Sequence, residues 1–449
     1  MRKRGKDLTE GNIKKQLFNL TWPMLFGMMG MVIFNLVDTF FVGQLGVRQL
    51  AAMSFGFPII MFINSLSQGI GIGTSSLISR NIIASSRHNV KMMASRALLL
   101  GFLVVLVFVI TGLFTIKPVF SALGAQEDTL KYISDYMGIW YLGVPFVVFP
   151  MIGNHIVRAT GDTFTPGMIM VASAALNIIL DPLLIFGIGP FPEMGIRGAA
   201  LATVIARSSS FTVILIILIR RENLLTIQIG RIKEIFKTWG NVVHIAAPAS
   251  LGMLITPISI GIITRIIADY GKEAVAAFGV ASRVEMFALM VIASLGSVMI
   301  IFIGQNISKR KFRRIHKSLK YAFTFSISWG VVMYLILIFF GRVIGGIFSD
   351  DTQVVDIAKS YFIIVGASYG FMGFVMLSNS CFNGINKPYP ATVLAIIRML
   401  VLYVPLAILG SALFNLTGVF LAGLIANVAV GILSIWYLRM TLKKMELNI

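Results

Sequence analysis

Leu20-Thr-Trp-Pro-Met-Leu-Phe-Gly27 returns as Ile245-Ala-Ala-Pro-Ala-Ser-Leu-Gly252, and the register continues far beyond these prolines. Met28 matches Met253, Gly46 matches Gly271, Ala51-Ala52 match Ala276-Ala277 and Asn81-Ile82 match Asn306-Ile307. Further on, Tyr136, Phe146, Phe149 and Asn154 match Tyr361, Phe371, Phe374 and Asn379. One shift of about 225 residues relates all of these pairs, so the chain is two similar halves in tandem, the design from which many secondary transporters are built.

The residues between these landmarks decide the solvent. Hydrophobic residues make up 57% of the chain and charged residues 12%, against roughly a quarter charged in soluble proteins. Twelve apolar stretches recur, near 17–42, 49–78, 93–116, 130–156, 165–188, 195–219, 241–268, 274–304, 321–341, 357–382, 391–411 and 415–438. Each is long enough to cross about 30 Å of hydrocarbon as a helix, whereas barrel strands would be shorter and alternate in polarity. The expected fold is an all-α polytopic membrane protein of twelve transmembrane helices in two pseudo-symmetric six-helix bundles. The polar stretch 220–240 divides them into an N-terminal lobe, 1–225, and a C-terminal lobe, 226–449. Six crossings bring each half in with the same orientation, so their symmetry axis should follow the membrane normal.

A formal charge of +20 suits nucleic acid in a soluble protein, but here its placement argues otherwise. The basic residues gather at the N-terminus (Arg2, Lys3, Arg4, Lys6), in the loops 80–96, 220–237 and 309–320, and at the C-terminus. Glu127, Asp128, Asp350, Asp351 and Asp356 occupy the alternate loops. This positive-inside pattern predicts a multi-pass cell-membrane protein with both termini cytoplasmic and no nucleic-acid partner. The run from Lys309 to Arg314 should touch anionic lipid heads. The first apolar run is too long for a signal peptide and carries an acid, so it is read as helix 1. A single cysteine, Cys381, leaves no disulfide framework and no thiolate metal site. No phosphate-binding Gly-rich loop, no His-Glu-x-x-His and no Gly-x-Ser-x-Gly is present. The chain therefore reads as a monomer that is not an enzyme, takes no cofactor and draws its energy from an ion gradient.

Three acids lie well inside spans: Asp38, Asp181 and Glu285. A charge at mid-bilayer costs about 3 kcal/mol on insertion scales, so such residues are usually functional. The repeat sharpens this, because Asp38 corresponds to Ile263 and Asp181-Pro182 to Val404-Pro405. The scaffold is kept in both halves and the acids in one. At about 1.5 Å per residue, Asp38, Asp181 and Thr203 lie roughly 6, 10 and 12 Å from the outer ends of their spans. All three can share one plane. Asn177 precedes Asp181 by one helical turn and faces the same way. Two carboxylates, an amide and a hydroxyl form a site for a proton or for Na⁺ at Asp38 and Asp181, since hard oxygens suit a hard cation. A purely structural cluster joining helices 1, 5 and 6 is the alternative. Pro182 frees the carbonyl of Ile178 and makes a hinge beside the acid; Pro23, Gly27 and Gly30 are expected to loosen helix 1. Glu285 is expected to pair with Arg283 or Arg398, and the methionines Met24, Met28, Met31, Met286, Met290, Met372 and Met376 suit either a plastic pocket or ordinary packing.

Several segments resemble the multidrug and toxic compound extrusion (MATE) transporters: Trp22-Pro23-Met24, Asp38-Thr-Phe-Phe-Val-Gly-Gln-Leu-Gly46, Arg158-Ala-Thr-Gly-Asp-Thr-Phe-Thr-Pro166, Asn177-Ile-Ile-Leu-Asp181-Pro182, Gly195-Ile-Arg-Gly-Ala-Ala-Leu-Ala-Thr203 and Phe382-Asn-Gly-Ile-Asn-Lys-Pro388. The resemblance implies two six-helix lobes around a V-shaped central cleft, and export of amphipathic, often cationic compounds in exchange for H⁺ or Na⁺. It implies a cation site at Asp38, Asn177, Asp181 and Thr203, and a substrate contact at Asn154. The acids that some relatives carry in helices 7 and 10 are missing here. A lipid-linked oligosaccharide flippase of related design is the rival expectation; it needs a cationic cleft, for which Arg207, Arg283 and Arg398 are the candidates.

Overall fold

A computed structural model describes residues 7–122, 124–228 and 230–447; the basic residues Arg2, Lys3, Arg4 and Lys6 lie outside them. Among the described residues there are thirteen α-helices and no strand. The first half contributes α1 (Ile13–Leu45), α2 (Val47–Asn81), α3 (Arg87–Ala122), α4 (Glu127–Ala159), α5 (Phe164–Phe186) and α6 (Ile196–Ile216), which runs on into a π-helical turn, Ile217–Arg221. The second contributes α7 (Ile232–Ala268), α8 (Lys272–Ser308), α9 (Phe312–Gly346), α10 (Thr352–Gly366), α11 (Tyr369–Gly384), α12 (Tyr389–Ile396) and α13 (Val404–Leu447), the last two joined by a π-helical stretch, Ile397–Tyr403.

Ten described helical segments are long and apolar enough to cross a bilayer, and α10 with α11 forms one more crossing bent by 57°. One of the ten, Tyr389–Leu447, has 59 residues and would reach about 88 Å if straight, nearly three bilayer thicknesses. Its helix breaks at Phe414 and at Asn415, whose φ of 53° is left-handed. Gly410 and Gly418 meet backbone to backbone across that break, where a Cβ on either would collide with the facing carbonyl. The segment is a helical hairpin that crosses twice, which restores the expected twelve spans. Phe114, Phe339 and Leu413 remain 83%, 75% and 73% exposed, a surface that only lipid solvates without penalty.

The chain divides into two compact units, Trp22–Ala247 and a second made of Leu8–Thr21 with the residues from Pro248 onward. The division therefore does not fall at 225/226. The cause is local hydrogen bonding on the segments that lead into α1 and α7. In the second unit, Leu8 N donates to Gln305 Oε1 (2.9 Å), and Arg314 donates to the carbonyls of Leu8, Glu10 and Gly11. In the first, Arg87 donates to the Glu222 carbonyl (2.6 Å) and Lys91 to Asn223 Oδ1 (2.8 Å). Arg96 there pairs with Glu234 (2.6 Å), and its carbonyl accepts from Trp239 Nε1 (2.8 Å). The repeat extends to single hydrogen bonds: Asn81 and Asn306 each donate to the carbonyl one turn earlier, Leu77 and Phe302, at 2.8 Å.

Candidate functional site

The first unit gathers its acids by packing α1, α5 and α6 closely. Gly27 lies so near α5 that a Cβ would stand 2.9 Å from Gly167 Cα, and one on Gly30 would stand 3.3 Å from Val171 Cα. A Cβ on Gly167 would meet the Pro23 carbonyl. At these glycines two backbones come into contact. Across the other face of α5, Ser173 Oγ donates to the Ala206 carbonyl of α6 (3.0 Å), and Gly198 abuts the Leu184 carbonyl. Helix α5 is continuous through Pro182.

Asp38, Asn177, Asp181 and Thr203 are all buried, Asn177 and Asp181 completely. They lie about 8–10 Å from the helix ends at Leu45, Phe186 and Ile196. Asn177 Nδ2 donates to Asp181 Oδ1 (3.0 Å). Asp181 feels the charge of Asp38, and Tyr136 of α4 feels both. Four buried oxygens remain without a hydrogen-bond partner among the described residues: Asp38 Oδ1, Asn177 Oδ1, Asp181 Oδ2 and Thr203 Oγ1. Leaving several buried acceptors unmet is costly and rare. An oxygen-only set contributed by three helices suits a proton shared between carboxylates or a hard cation. Other potential metal ligands are dispersed: no group of three His, Cys, Asp or Glu forms among the described residues. His155 is buried and donates to Gln68 Oε1 (3.0 Å).

An apolar plug closes one side of this plane. Val42, Ile185 and Ala199 form a fully buried cluster, and each stands four residues, one helical turn, from Asp38, Asp181 and Thr203 respectively. Phe41, Leu45, Met53 and Phe186 pack around it. The same three helices thus carry a polar layer and, one turn beyond, a dry one. Water excluded in this way strengthens every electrostatic interaction beneath it.

Two neighbours escaped the sequence reading of the site. Arg207 lies one turn from Thr203, places its guanidinium 4.9 Å from the centre of the Phe34 ring and acts electrostatically on Asp38. Its signal was its spacing from Thr203. Tyr136 was visible only as a repeat match to Tyr361. In the second unit Tyr361 donates to Glu285 Oε2 (2.8 Å). The expected ion pair of Glu285 is not formed: neither Arg283 nor Arg398 comes within 4.0 Å among the described residues. Arg283 is exposed, and Arg398 donates to Asn427 Oδ1 (3.1 Å). Asn154 is buried with its Oδ1 unpartnered. Of the methionines in the series, Met24, Met290 and Met372 are buried, Met28, Met31 and Met376 are half-buried and Met286 is exposed.

The turn between α4 and α5 is locked by Asp162, which accepts from Thr165 N (3.0 Å) and Thr165 Oγ1 (2.6 Å) and pairs with Arg221. Burial alone would raise the Asp162 pKa, but the Thr165 hydrogen bonds and the Arg221 guanidinium hold it below the ordinary 3.8. Its stabilisation is present above that value and is lost as pH falls through the lower native one. Asp162→Asn should cost about 1 kcal/mol at neutral pH, because Arg221 stays partly in water. The cost should disappear in acid, which thermal melts at the two pH values check.

The arrangement can now be set beside known proteins. The MatE family model matches residues 23–183 and again residues 248–409, so each half satisfies it and each match begins at the repeated proline. A FAD transporter of Shewanella oneidensis is 37% identical over 425 residues, 95% of this chain and 94% of that protein. The multidrug export protein MepA of Staphylococcus saprophyticus is 26% identical over 98% of this chain and 97% of its own length. A crystal structure of a mutant of the Vibrio cholerae MATE transporter VcmN superposes with a TM-score of 0.92 at 30% identity, covering 96% of this chain and 97% of that one. The chain belongs to the MATE family of multi-pass membrane transporters.

Proposed function

We propose that the protein exports amphipathic organic compounds in exchange for H⁺ or Na⁺, with Asp38 and Asp181 as the coupling pair and Asn177 and Thr203 completing the site. The observation that carries this reading is the set of four buried acceptor oxygens without partners on α1, α5 and α6. Ion binding there removes a desolvation cost that the empty site bears, and only such a difference in affinity between two states can drive transport. The ion is proposed to change how α1 and α5 pack, with Pro182 as the hinge, and so to lower substrate affinity. Asn154 is proposed to meet a polar group of the substrate. Basic loops in the cytoplasm, with both termini, complete the orientation.

Two substrate classes are supported unequally. The similarity to a multidrug export protein favours structurally varied organic compounds, among which amphipathic cations are the class the family resemblance implies. The higher identity to a FAD transporter favours a second reading, a negatively charged aromatic dinucleotide. The two differ in their response to voltage. A cation of charge +1 exchanged for one H⁺ moves no net charge, so each pH unit contributes about 1.4 kcal/mol, roughly tenfold in accumulation. An anion leaving a negative interior gains a further 2.3 kcal/mol or so per charge per 100 mV. The flippase alternative draws little support: Arg283 is exposed, Arg398 bonds Asn427 and Arg207 lies over Phe34.

Purified protein in liposomes tests this. Ethidium and FAD are supplied separately, with a pH gradient, a sodium gradient or a membrane potential imposed one at a time. Uptake against a gradient driven by H⁺ or Na⁺ is expected. Equal uptake with and without any gradient would remove the coupling.

A further inference from the structure

Two cavities at the basic end of the second unit adjoin, sharing Lys14 and Tyr321. The first, of about 450 Å³, includes Lys14, Arg313, Arg314 and Lys317 in its lining. Arg314 is occupied there, since it holds the carbonyls of Leu8, Glu10 and Gly11. Lys14, Arg313 and Lys317 are exposed and have no ion-pair partner among the described residues. The second cavity, of about 570 Å³, is largely apolar and runs along Leu17, Phe18 and Thr21 of α1 and Tyr321, Phe325 and Ser328 of α9, with Lys320 also in its lining. Seven residues of each helix separate its two ends, about 10 Å. Phe18 and Phe325 remain 66% and 39% exposed in it, while Lys14 Nζ lies 4.9 Å from the Tyr321 ring centre.

A cationic hollow at a helix end, continuous with an apolar groove that descends along the same two helices, matches one chemistry. That chemistry is a phosphate carrying a hydrocarbon chain. We propose that this paired cavity binds an anionic diacyl phospholipid of the leaflet that meets the basic loops. Lys14, Arg313 and Lys317 hold the headgroup phosphate, and one acyl chain lies along Phe18, Tyr321 and Phe325. An organic cation does not complement the first cavity, and inorganic phosphate gains nothing from the second. The site is independent of the coupling pair, which belongs to the other unit.

The test uses delipidated full-length protein in detergent, mixed with equal amounts of phosphatidylglycerol and phosphatidylcholine. Lipid retained after gel filtration is counted by mass spectrometry. Retention should favour phosphatidylglycerol by about fivefold or more, because choline neutralises the phosphate charge that Lys14, Arg313 and Lys317 meet, whereas glycerol leaves it uncompensated. Arg313→Gln with Lys317→Gln should bring the ratio near one, whereas Lys233→Gln with Lys237→Gln, an equal loss of exposed charge in the other unit, should leave it unchanged. Phe325→Ser should lower total retention of both lipids. Equal retention by the unaltered protein overturns the proposal, as does a preference that survives the Arg313/Lys317 change. Displacement of the lipid by millimolar inorganic phosphate or by ethidium overturns it too, because the acyl groove would then contribute nothing.

Discussion

Asp38→Asn and Asp181→Asn should each reduce gradient-driven transport by about 100-fold or more while leaving the protein folded and in the membrane. The size follows from the desolvation of the site. An uncompensated charge within a span costs roughly 3 kcal/mol, and that is the free energy an arriving ion relieves. An amide cannot take up the ion's charge, so the lever disappears, and 1.36 kcal/mol corresponds to each tenfold in rate. Stability should move the other way or not at all. Asp38 Oδ1 and Asp181 Oδ2 have no partner to lose, and the single hydrogen bond from Asn177 can be offered to an amide oxygen equally well. A merely structural cluster predicts the reverse pattern, with melting temperature falling and transport kept. Liposome flux and thermal melts on the same preparations separate the two.

Gly167→Leu should be nearly as damaging to transport although both carboxylates stay in place. A leucine there has no room against the Pro23 carbonyl, and α1 must retreat toward the ordinary interaxial spacing of about 8–10 Å. That retreat carries Asp38 away from Asp181. Overpacking of this kind costs about 1–3 kcal/mol of stability, and the coupling loss should exceed what the fall in folded protein explains. The repeat supplies the control. Gly252 occupies the position equivalent to Gly27, but its nearest neighbour atoms, on Thr392, stand 4.0 Å from a Cβ. Gly252→Ala should therefore change stability by no more than about 0.5 kcal/mol and leave flux intact. Transport by Gly167→Leu at the unaltered rate, with the protein folded, would detach the α1–α5 contact from function.

What could be read in the sequence was whatever a regular helix dictates. Span number, the tandem repeat and the depth of Asp38, Asp181 and Thr203 follow from a fixed rise per residue and from the exclusion of charge by lipid. Asn177 followed from its one-turn spacing to Asp181. Legibility failed where geometry departs from the regular helix or depends on a second element. The bend between α10 and α11 is a local break within apolar sequence, so hydropathy passes over it, whereas the turn at Asn415 was legible as the gap between the spans 391–411 and 415–438. Gly27 and Gly30 look like weak points in a lone helix, and only the presence of Gly167 and Val171 opposite turns them into a contact surface. The boundary between units is invisible at 225/226 because it follows hydrogen bonds joining Leu8 to Gln305, and Glu234 and Trp239 to Arg96, residues far apart in the chain. Tyr136 and Arg207 were passed over for a related reason: each gains its meaning from an acid on another helix.

Ion exchange by the purified protein tests the coupling pair most directly. Detergent-solubilised protein in weak buffer is mixed with ethidium or with FAD, and proton release is followed with a pH indicator, with and without sodium present. The unaltered protein should release protons, or bind less sodium, as substrate binds, and the Asp38→Asn/Asp181→Asn double variant should show neither change while still binding substrate. Exchange of the same amount of ion by the double variant would contradict the assignment of the coupling site to α1 and α5.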